Sequence, residues 1–343
     1  IGGIEPAREF ITTALRNGKP VITGNKELLA NVGTELFAVA DAAGVDLLFE
    51  AAVAGGIPIV SALRESLRGE PIRRVMGIIN GTTNFILTKM TEEGADYAAA
   101  LAEAQALGFA ERDPTADVEG YDAGAKAAIM ATIAFGAKVV AGDVYHEGIS
   151  RITAADIAMA KRLGYVVKLL GIAEADESGA IGVRVHPTMV PLTHPLASVR
   201  ESYNAVFVEG AAVGSLMFYG RGAGGSPTAS AVLGDVVDAA INLTKGTHGA
   251  LGTFGRAAIL PIDETSAEYL LSLDVADKPG VLHAVTASSP VTMSAFAQQS
   301  RRAMRRTHDW SSSRTPPASP PYRQPCASYA TSMWCATSAA YCA

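Results

Sequence analysis

The main part of this chain has no cysteine. All three cysteines lie in the last eighteen of the 343 residues, at Cys326, Cys335 and Cys342. Disulfide bonds and thiolate metal sites are therefore excluded from residues 1–287. The six histidines are scattered without a pair at ligand spacing, which argues against a structural zinc site. Because 49% of the residues are hydrophobic, the chain can instead be stabilised by a sizeable apolar core.

The chain also lacks long apolar runs and an excess of positive charge. No uninterrupted run reaches the ~18 apolar residues of a membrane span, and no basic segment followed by an apolar leader is present. A net charge of −6 argues against a nucleic-acid partner, since phosphate binding needs clustered Lys and Arg. We expect a cytoplasmic protein without a nucleic-acid or membrane partner. Because the first residue is Ile rather than Met, we also expect the sequence to begin inside a longer protein.

Helix and strand patterns alternate over residues 1–57. Apolar residues recur at helical spacing over 7–15, PVIT (20–23) is typical of a short buried strand, and the pattern repeats up to the strand VDLLFEA (45–51). Strands that alternate with helices indicate a doubly wound parallel sheet. The predicted fold class is α/β, and this segment would be the second part of a nucleotide-binding sheet. Its opening strand and glycine-rich turn would lie upstream.

The pattern changes after residue 57. Apolar helices and β-branched strands alternate over 58–220, which predicts an α+β substrate and dimerisation domain. Residues 221–262 are predicted to begin with a glycine loop followed by a helix. The clearest predicted elements of the middle domain are the helices 96–108 and 158–172 and the strands 180–190 and 204–220.

Several carboxylates precede a single lysine in the segment LAEAQALGFAERDPTADVEGYDAGAKAAIM (101–130). Gly120 predicts a helix start near Asp122, which places Asp122 and Lys126 one turn apart on the same face. A lysine in an apolar environment is costly unless it is paired. Burial lowers its pKa while carboxylates raise it, as in a lysine that acts as an acid or base. On spacing alone, an ordinary surface ion pair worth ~0.3–0.5 kcal/mol explains the pattern as well.

The same segment resembles the signature of the homoserine dehydrogenases. The matching positions have fixed spacing and are Ala104, Gly108, Phe109, Ala110, Asp113, Pro114, Asp117, Val118, Gly120, Asp122 and Lys126. The resemblance implies that Lys126 donates a proton to the substrate aldehyde. It also implies that Glu111 and Asp122 hold the amino and hydroxyl ends of an amino-acid substrate, with Asp117 as a further substrate contact and Gly108 as a cofactor contact.

Three further segments resemble the same family. Lys26 in VITGNKELLA (21–30) would lie near both cofactor and substrate, as a second catalytic lysine; without the family, a surface lysine at a helix start is the simpler interpretation. FEAAVAGGIPIV (49–60) resembles a monovalent-cation loop, although a plain strand-to-loop transition would have the same glycines. Hard oxygen ligands suit a sodium ion, and the implied ligands are Glu50 and the backbone carbonyls of Val53, Gly55 and Ile57. In NGTTNFIL (80–87), the residues implied to face the substrate are Gly81, Thr82 and Thr83.

A literal GxGxxG occurs in YGRGAGGSPTASAV (219–232). A lone match is weak, and no acidic residue closes a following strand about 20 residues further on. We therefore reject it as the pyrophosphate fingerprint. By resemblance, it is a late glycine loop near the nicotinamide half of the cofactor, with Gly222 and Gly224 as contacts.

The end of the chain has two different characters. LSLDVADKPGVLHAV (271–285) resembles the opening strand and helix of an ACT module, an amino-acid-sensing domain, so residues 268–287 would be a truncated ACT-like module. Residues 288–343 have no periodicity and many Ser, Pro and Arg, which predicts disorder. Because the change falls in mid-helix, we hypothesise that a frameshift near codon 287 replaced the natural C-terminus.

The resemblance covers residues 1–287 and is closest to monofunctional enzymes of actinobacterial type. It implies the NAD(P)-dependent interconversion of L-homoserine and L-aspartate 4-semialdehyde, with NAD and NADP both open, and a homodimer or homotetramer. One alternative is an inactive fragment that binds the amino acid but not the dinucleotide. Another is a related dehydrogenase for a different small carbonyl compound. The Glu111/Asp122 pair argues against the latter, because a substrate without an ammonium group would leave those charges unpaired.

Overall fold

The structure is a computed structural model that describes residues 2–252, 254–265, 267–273, 275–276, 279–280, 307–308 and 331–336. Its helices are α1 (Ala7–Arg16), α2 (Lys26–Ala43), α3 (Ile59–Ser61), α4 (Gly81–Glu92), α5 (Tyr97–Ala106), α6 (Thr115–Val118), α7 (Tyr121–Phe135), α8 (Ala154–Arg162) and α9 (Gly225–Lys245). Its strands are β1 (Val21–Ile22), β2 (Leu47–Leu48), β3 (Ile72–Ile78), β4 (Ala137–Lys138), β5 (Tyr145–His146), β6 (Tyr165–Ala175), β7 (Ile181–Pro191), β8 (Tyr203–Gly210), β9 (Gly214–Arg221), β10 (Gly255–Arg256), β11 (Glu268–Leu273), β12 (Val275–Ala276), β13 (Thr307–His308) and β14 (Thr331–Ala336).

The amino-terminal part is an α/β unit around two parallel strands. Val21 of β1 lies opposite Leu47 of β2, and α2 forms the crossover between the strands. The side chain of Asn25 caps α2 by accepting a hydrogen bond from the Leu28 N–H, and α2 ends at Gly44 in the left-handed region. The predicted parallel α/β arrangement is confirmed over these residues.

The middle of the chain forms one large sheet. Its strand order is β11-β14-β7-β6-β3-β8-β9, and β5 pairs with β7. The pairs β6–β7, β3–β6, β3–β8 and β8–β9 are all antiparallel. Helices α4, α7 and α8 pack on this sheet, and α7 makes the most extensive contact with it. The main apolar core lies between these helices and the sheet and continues under α2.

The predicted helix 158–172 is wrong in its second half. In the structure α8 ends before Gly164, which has φ 83°, and β6 begins at Tyr165. Glycine tolerates this left-handed conformation and so ends the helix. Both β3 and β7 pair with β6, and these long-range ladders override the helical pattern of the apolar residues.

The disorder predicted over 288–343 stays a prediction, and two short segments in that range are described as strands. Strand β14 pairs with β11 and with β7, and β13 pairs with β12. Composition could not reveal this pairing, because the open edges that provide the partners belong to distant strands. Strands β11 and β12 agree with the strand predicted for the ACT-like module, whereas the helix predicted after Gly280 lies outside the described residues.

Helix α9 returns to the amino-terminal unit and packs against β1 and the short 3-10 helix Glu50–Ala52. The Asp235 carboxylate accepts a hydrogen bond of 2.9 Å from the backbone N–H of Glu50. Within the described part of the chain, no helix combines the length and the apolar character that crossing a bilayer would require.

A buried polar network ties α4 to the large sheet. The Lys168 ammonium on β6 donates hydrogen bonds to the Asn84 side-chain oxygen (2.9 Å) and to the Val199 carbonyl. The Asn84 amide donates in turn to the carbonyls of Glu201 (2.9 Å) and Tyr203 (3.2 Å). Burial lowers the pKa of Lys168 to about 8. The network therefore holds the loop 199–203 beside the start of α4.

Candidate active site

Four charged side chains and one asparagine meet near the first turns of helices from different parts of the chain. Lys26 opens α2 directly after β1, Asn80 is the N-cap of α4, and Asp117 lies in α6. Asp122 and Lys126 occupy the first turns of α7, which starts after Gly120 at φ 84°. Glycine is needed for that left-handed turn, and the turn aims the start of α7 at the other helices.

Asp122 bridges the two lysines. Its Oδ1 lies 3.0 Å from Lys26 Nζ, and its Oδ2 accepts a hydrogen bond of 2.7 Å from Lys126 Nζ. The predicted spacing of Asp122 and Lys126 is confirmed, but an ordinary surface pair is excluded. The side chains of Asp122 and Lys126 are only 10% and 13% exposed. Lys26 is more open, at 44%.

Charge pairing controls the protonation of this cluster. Burial by itself would raise the pKa of Asp122, but Lys126 and Lys26 outweigh it and lower the value to about 2. Burial likewise lowers the pKa of Lys26, and the attraction of Asp122 and Asp117 reverses the direction, so that the pKa is raised. Asp117 differs, because burial and the neighbouring Asp122 charge raise its pKa. The cluster therefore combines two lysines with two carboxyl groups whose pKa values shift in opposite directions.

Lys126 keeps one donor for a ligand. A lysine ammonium has three N–H groups. Two of them point to Asp122 and to the carbonyl oxygen of Ile79, which lies 2.8 Å from Nζ. No third acceptor for Lys126 occurs among the described residues. This arrangement can present one N–H of a well-oriented ammonium to an oxygen of a bound molecule.

The other predicted substrate residues have different surroundings. Glu111 is exposed, and its carboxylate makes no hydrogen bond or ion pair with any described residue. Thr82 donates to the Phe109 carbonyl (2.6 Å), and the Thr83 hydroxyl is buried against Asn80 (3.0 Å). Thr83 thus holds the loop instead of facing an open space. A Cβ at Gly81 would lie 2.7 Å from the Ser202 carbonyl, so this glycine allows close packing of the 199–203 loop.

Asp122 also has surroundings that differ from the prediction. It was expected to hold one end of the substrate, but its two oxygens already accept from Lys26, Lys126 and Asn80. Its geometry suits the orientation of the lysines. Asp117 accepts from Asn80 at 2.7 Å and forms no ion pair with any cation of the described residues. Asp117 is thus the half-buried carboxylate of this cluster that lacks a counter-cation.

In the loop 49–60, which is predicted to hold sodium, the Glu50 carboxylate binds backbone N–H groups. Both oxygens of Glu50 accept hydrogen bonds of 2.8 Å, from the backbone N–H groups of Val60 and Ser61. In the structure this carboxylate caps the helix start, and its role as an ion ligand stays a prediction. The Ile57 carbonyl accepts from Ile59 N–H, whereas within the described residues no backbone N–H reaches the carbonyls of Val53 and Gly55.

The glycine loop 220–225 packs directly against the same segment. The Arg221 carbonyl accepts a hydrogen bond from Gly56 N–H (3.1 Å), and a Cβ on Gly222 would overlap the side-chain amide of Asn204. Gly222 is therefore required by packing. Gly224 has φ 117° and precedes α9, and the space above Gly224 and Gly225 is open except for Pro227. Gly108 has φ 77° after the end of α5 and open space around it.

Comparison with known proteins decides the family. A sequence model described as "Homoserine dehydrogenase" matches residues 58–237, more than half of the chain. The chain belongs to the homoserine dehydrogenase family. A second model, the NAD binding domain of homoserine dehydrogenase, matches residues 1–50. The family predicted from the sequence is thus confirmed.

Individual homoserine dehydrogenases are similar over most of the chain. The one from Corynebacterium glutamicum is 57% identical over 82% of this chain and 64% of the relative, so the chain spans less than two thirds of that relative's length. The crystal structure of a homoserine dehydrogenase from Thiobacillus denitrificans has a TM-score of 0.87 at 40% identity and covers 98% of this chain and 80% of that chain. A hyperthermophilic archaeal homoserine dehydrogenase in complex with NADPH has a TM-score of 0.60 at 33% identity, over 68% of each chain.

Sequence reasoning missed two parts of the cluster, the Asn80 side chain and the Ile79 carbonyl. The signal for Asn80 was present, since an Asn directly before Gly81 at the start of an apolar helix is typical of an N-cap. Nothing in the sequence indicates the Ile79 carbonyl, because a backbone acceptor has no residue type of its own.

Proposed function

We propose that this chain carries the substrate site of a homoserine dehydrogenase and interconverts L-homoserine and L-aspartate 4-semialdehyde. The observation that supports this most strongly is the Asp122 bridge between Lys26 and Lys126, with Asp117 beside it and without a counter-cation. A small zwitterionic amino acid with a reacting oxygen matches such a set. Its ammonium group would pair with Asp117, its carboxylate would approach Lys26, and its oxygen would meet Lys126.

Lys126 has the geometry for proton transfer. In the direction of reduction, its third N–H donates a proton to the carbonyl oxygen of the semialdehyde while the carbonyl carbon is reduced to an alcohol. In the direction of oxidation, the amine takes the hydroxyl proton of homoserine. The Lys126 ammonium donates one hydrogen bond to Asp122 and another to the Ile79 carbonyl. The remaining, reacting N–H therefore has a defined direction. Nicotinamide, when bound, supplies or accepts the hydride.

The residues present fit a dinucleotide. Ligands of parallel α/β units bind outside the carboxyl ends of the strands. At that edge, β1 is followed by Lys26 and β2 by Glu50, and the loop before α9 leaves open space above Gly224. We propose that Lys26, Gly108 and Gly224 contact the cofactor and that Gly222 supports the loop by packing. The similar archaeal protein bound to NADPH supports NADP as one cofactor, and NAD stays open.

We also propose the predicted division of the chain into a nucleotide-binding part (1–57), a substrate domain (58–220) and a returning loop and helix (221–262). Contacts of α9 with β1 support it. For a sodium ion, the carbonyls of Val53 and Gly55 are the favoured ligands, because Ala54 and Gly55 are both left-handed and turn the loop sharply. Assembly as a dimer or tetramer remains a prediction. The apolar side chains of the β9 edge, such as Tyr219, support it.

A second candidate is a chain that binds the amino acid but not the dinucleotide. It is favoured by the amino-terminal unit, whose described residues form a parallel sheet of the two strands β1 and β2. Parallel sheets of two strands bury little of their surface and present two open edges.

A single set of measurements separates these candidates. The full chain is assayed for L-homoserine-dependent reduction of NAD and NADP, and binding of L-homoserine and of NADPH is followed by calorimetry. We expect Lys126→Met to lower turnover at least ~100-fold, the usual contribution of a general acid–base group. Lys161→Met, an exposed lysine on α8, serves as the matched control.

Turnover that survives in Lys126→Met would contradict the proposed role of this lysine. Homoserine binding without NADPH binding or turnover would establish the second candidate. A folded chain that binds neither ligand would refute both.

A further inference from the structure

Among the described residues, Asn80 is the one uncharged side chain that donates hydrogen bonds to both carboxylates of the cluster. Its side-chain nitrogen donates to Asp117 Oδ1 at 2.7 Å and to Asp122 Oδ2 at 3.0 Å. Its side-chain oxygen accepts from the Thr83 N–H (2.9 Å) and the Thr83 hydroxyl (3.0 Å). The residue is buried, at 5% exposure. Both hydrogens of the amide nitrogen are thus used on two different anions.

We propose that Asn80 is a positioning residue that keeps Asp117 ionised next to Asp122, so that Asp117 can receive the ammonium group of the substrate. The inference rests on the proposed function only for that last step. The effect on Asp117 itself can be measured without any substrate.

The amide is the only common side chain that fulfils all of these contacts at once. Two carboxylates at close range repel each other, and one of them tends to take up a proton. A neutral donor between them stabilises both anions without adding a charge. Serine could accept from Thr83 but is too short and has a single hydrogen to donate, and an ionised aspartate could only accept. Glutamine is one carbon longer, which displaces the oxygen from the start of α4.

The charges around Asp117 explain why it depends on this neighbour. Burial raises its pKa most, and the Asp122 charge adds to that effect, whereas the Asn80 hydrogen bond, Thr82 and the charge of Lys126 oppose it. Lys126 and Lys26 both pair with Asp122 and not with Asp117. The direct donors to Asp117 are therefore uncharged, and Asn80 is the strongest of them. Without Asn80, burial and repulsion should raise the pKa of Asp117 further.

Two variants separate this role from helix capping. Asn80→Ser and Asn80→Asp both keep an acceptor for the Thr83 N–H, and both residues are good N-caps, but neither can donate to two carboxylates. Asn25→Ser changes the N-cap of α2 in the same way and serves as the control. The titration of Asp117 is followed in the full chain by carboxyl-carbon NMR, with the resonance assigned through Asp117→Asn. L-homoserine binding is measured by calorimetry between pH 5 and 8.

We expect the pKa of Asp117 to move upward in Asn80→Ser and further upward in Asn80→Asp, and to stay unchanged in Asn25→Ser. L-homoserine binding at pH 5.5 should weaken about tenfold in Asn80→Ser, as expected for the loss of one hydrogen bond to a charged group. The loss should shrink towards pH 8, because a carboxyl group with a raised pKa is more fully ionised at higher pH.

An Asp117 titration that is unchanged in both Asn80 variants would overturn the inference. So would a loss of binding with the same size at pH 5.5 and pH 8, because a purely structural role has no such pH dependence. A shifted titration in a chain that binds no homoserine in any form would uphold the role of Asn80 and refute the proposed function.

Discussion

The Asp122 bridge predicts a measurable effect on stability in the variant Asp122→Asn. The asparagine has nearly the same shape, but it removes the anion that Lys26 and Lys126 share. In the folded protein the pKa of Asp122 is about 2, compared with the ordinary value of 3.8. The difference corresponds to about 2 kcal/mol in favour of the ionised folded form at neutral pH. Because the side chain is only 10% exposed, water screens this contribution little.

The sign of the pH dependence follows from the direction of the shift. The folded-state pKa lies below the unfolded value, so the contribution is complete above about pH 5 and is lost as the pH falls through about 2. The free energy of unfolding of the unmodified chain should therefore exceed that of Asp122→Asn by about 2 kcal/mol at pH 7. The advantage should be about half as large at pH 3. Repulsion between the two unpaired lysines would increase the difference.

Urea unfolding followed by circular dichroism at pH 7, 4 and 3 measures this difference. Glu111→Gln is the matched control, since it removes one carboxylate charge that has no partner among the described residues. It should change the unfolding free energy at pH 7 by less than about 0.5 kcal/mol. If Asp122→Asn is as stable as Glu111→Gln at pH 7, or its deficit does not shrink towards pH 3, the ion-paired cluster is not what holds these helices together.

Two further predictions concern other parts of the fold. Gly222→Ala places a methyl group on the side-chain amide of Asn204. We expect the free energy of unfolding to fall by about 1–3 kcal/mol. A urea midpoint equal to that of the parent would contradict the packing described. Lys168→Met tests the buried lysine: because its folded-state pKa of about 8 lies below the unfolded value, the parent should gain stability relative to the variant as the pH rises from 8 to 10.5. Parallel stability curves between pH 7.5 and 10 would show that Lys168 is not buried as a charged group.

Local sequence patterns predicted the residues of the site well, but they predicted the long-range strand pairing poorly. The Asp122/Lys126 pair follows from the 3.6-residue period and from Gly120, which are properties of consecutive residues. The strand β6 was missed in part, because the apolar run 165–172 has no period that separates a buried strand from a helix. Its conformation depends on β3 and β7, which lie far away in the chain. The same reason explains the missed strand β14.

The sequence by itself therefore determined the family, the α/β class and the Asp122/Lys126 pair, since each depends on residue types at fixed spacing. Only the tertiary structure decided how the charges combine. It brought Lys26 from α2 to Asp122, turned the Glu50 carboxylate to the backbone of 60–61, and left Asp117 without a cation. These relations join residues from separate helices, and their distances depend on how the helices pack, which no local pattern encodes. Asn80 combines both kinds of information. Its position as the N-cap of α4 follows from the local sequence, whereas its contacts with Asp117 and Asp122 depend on how the helices pack.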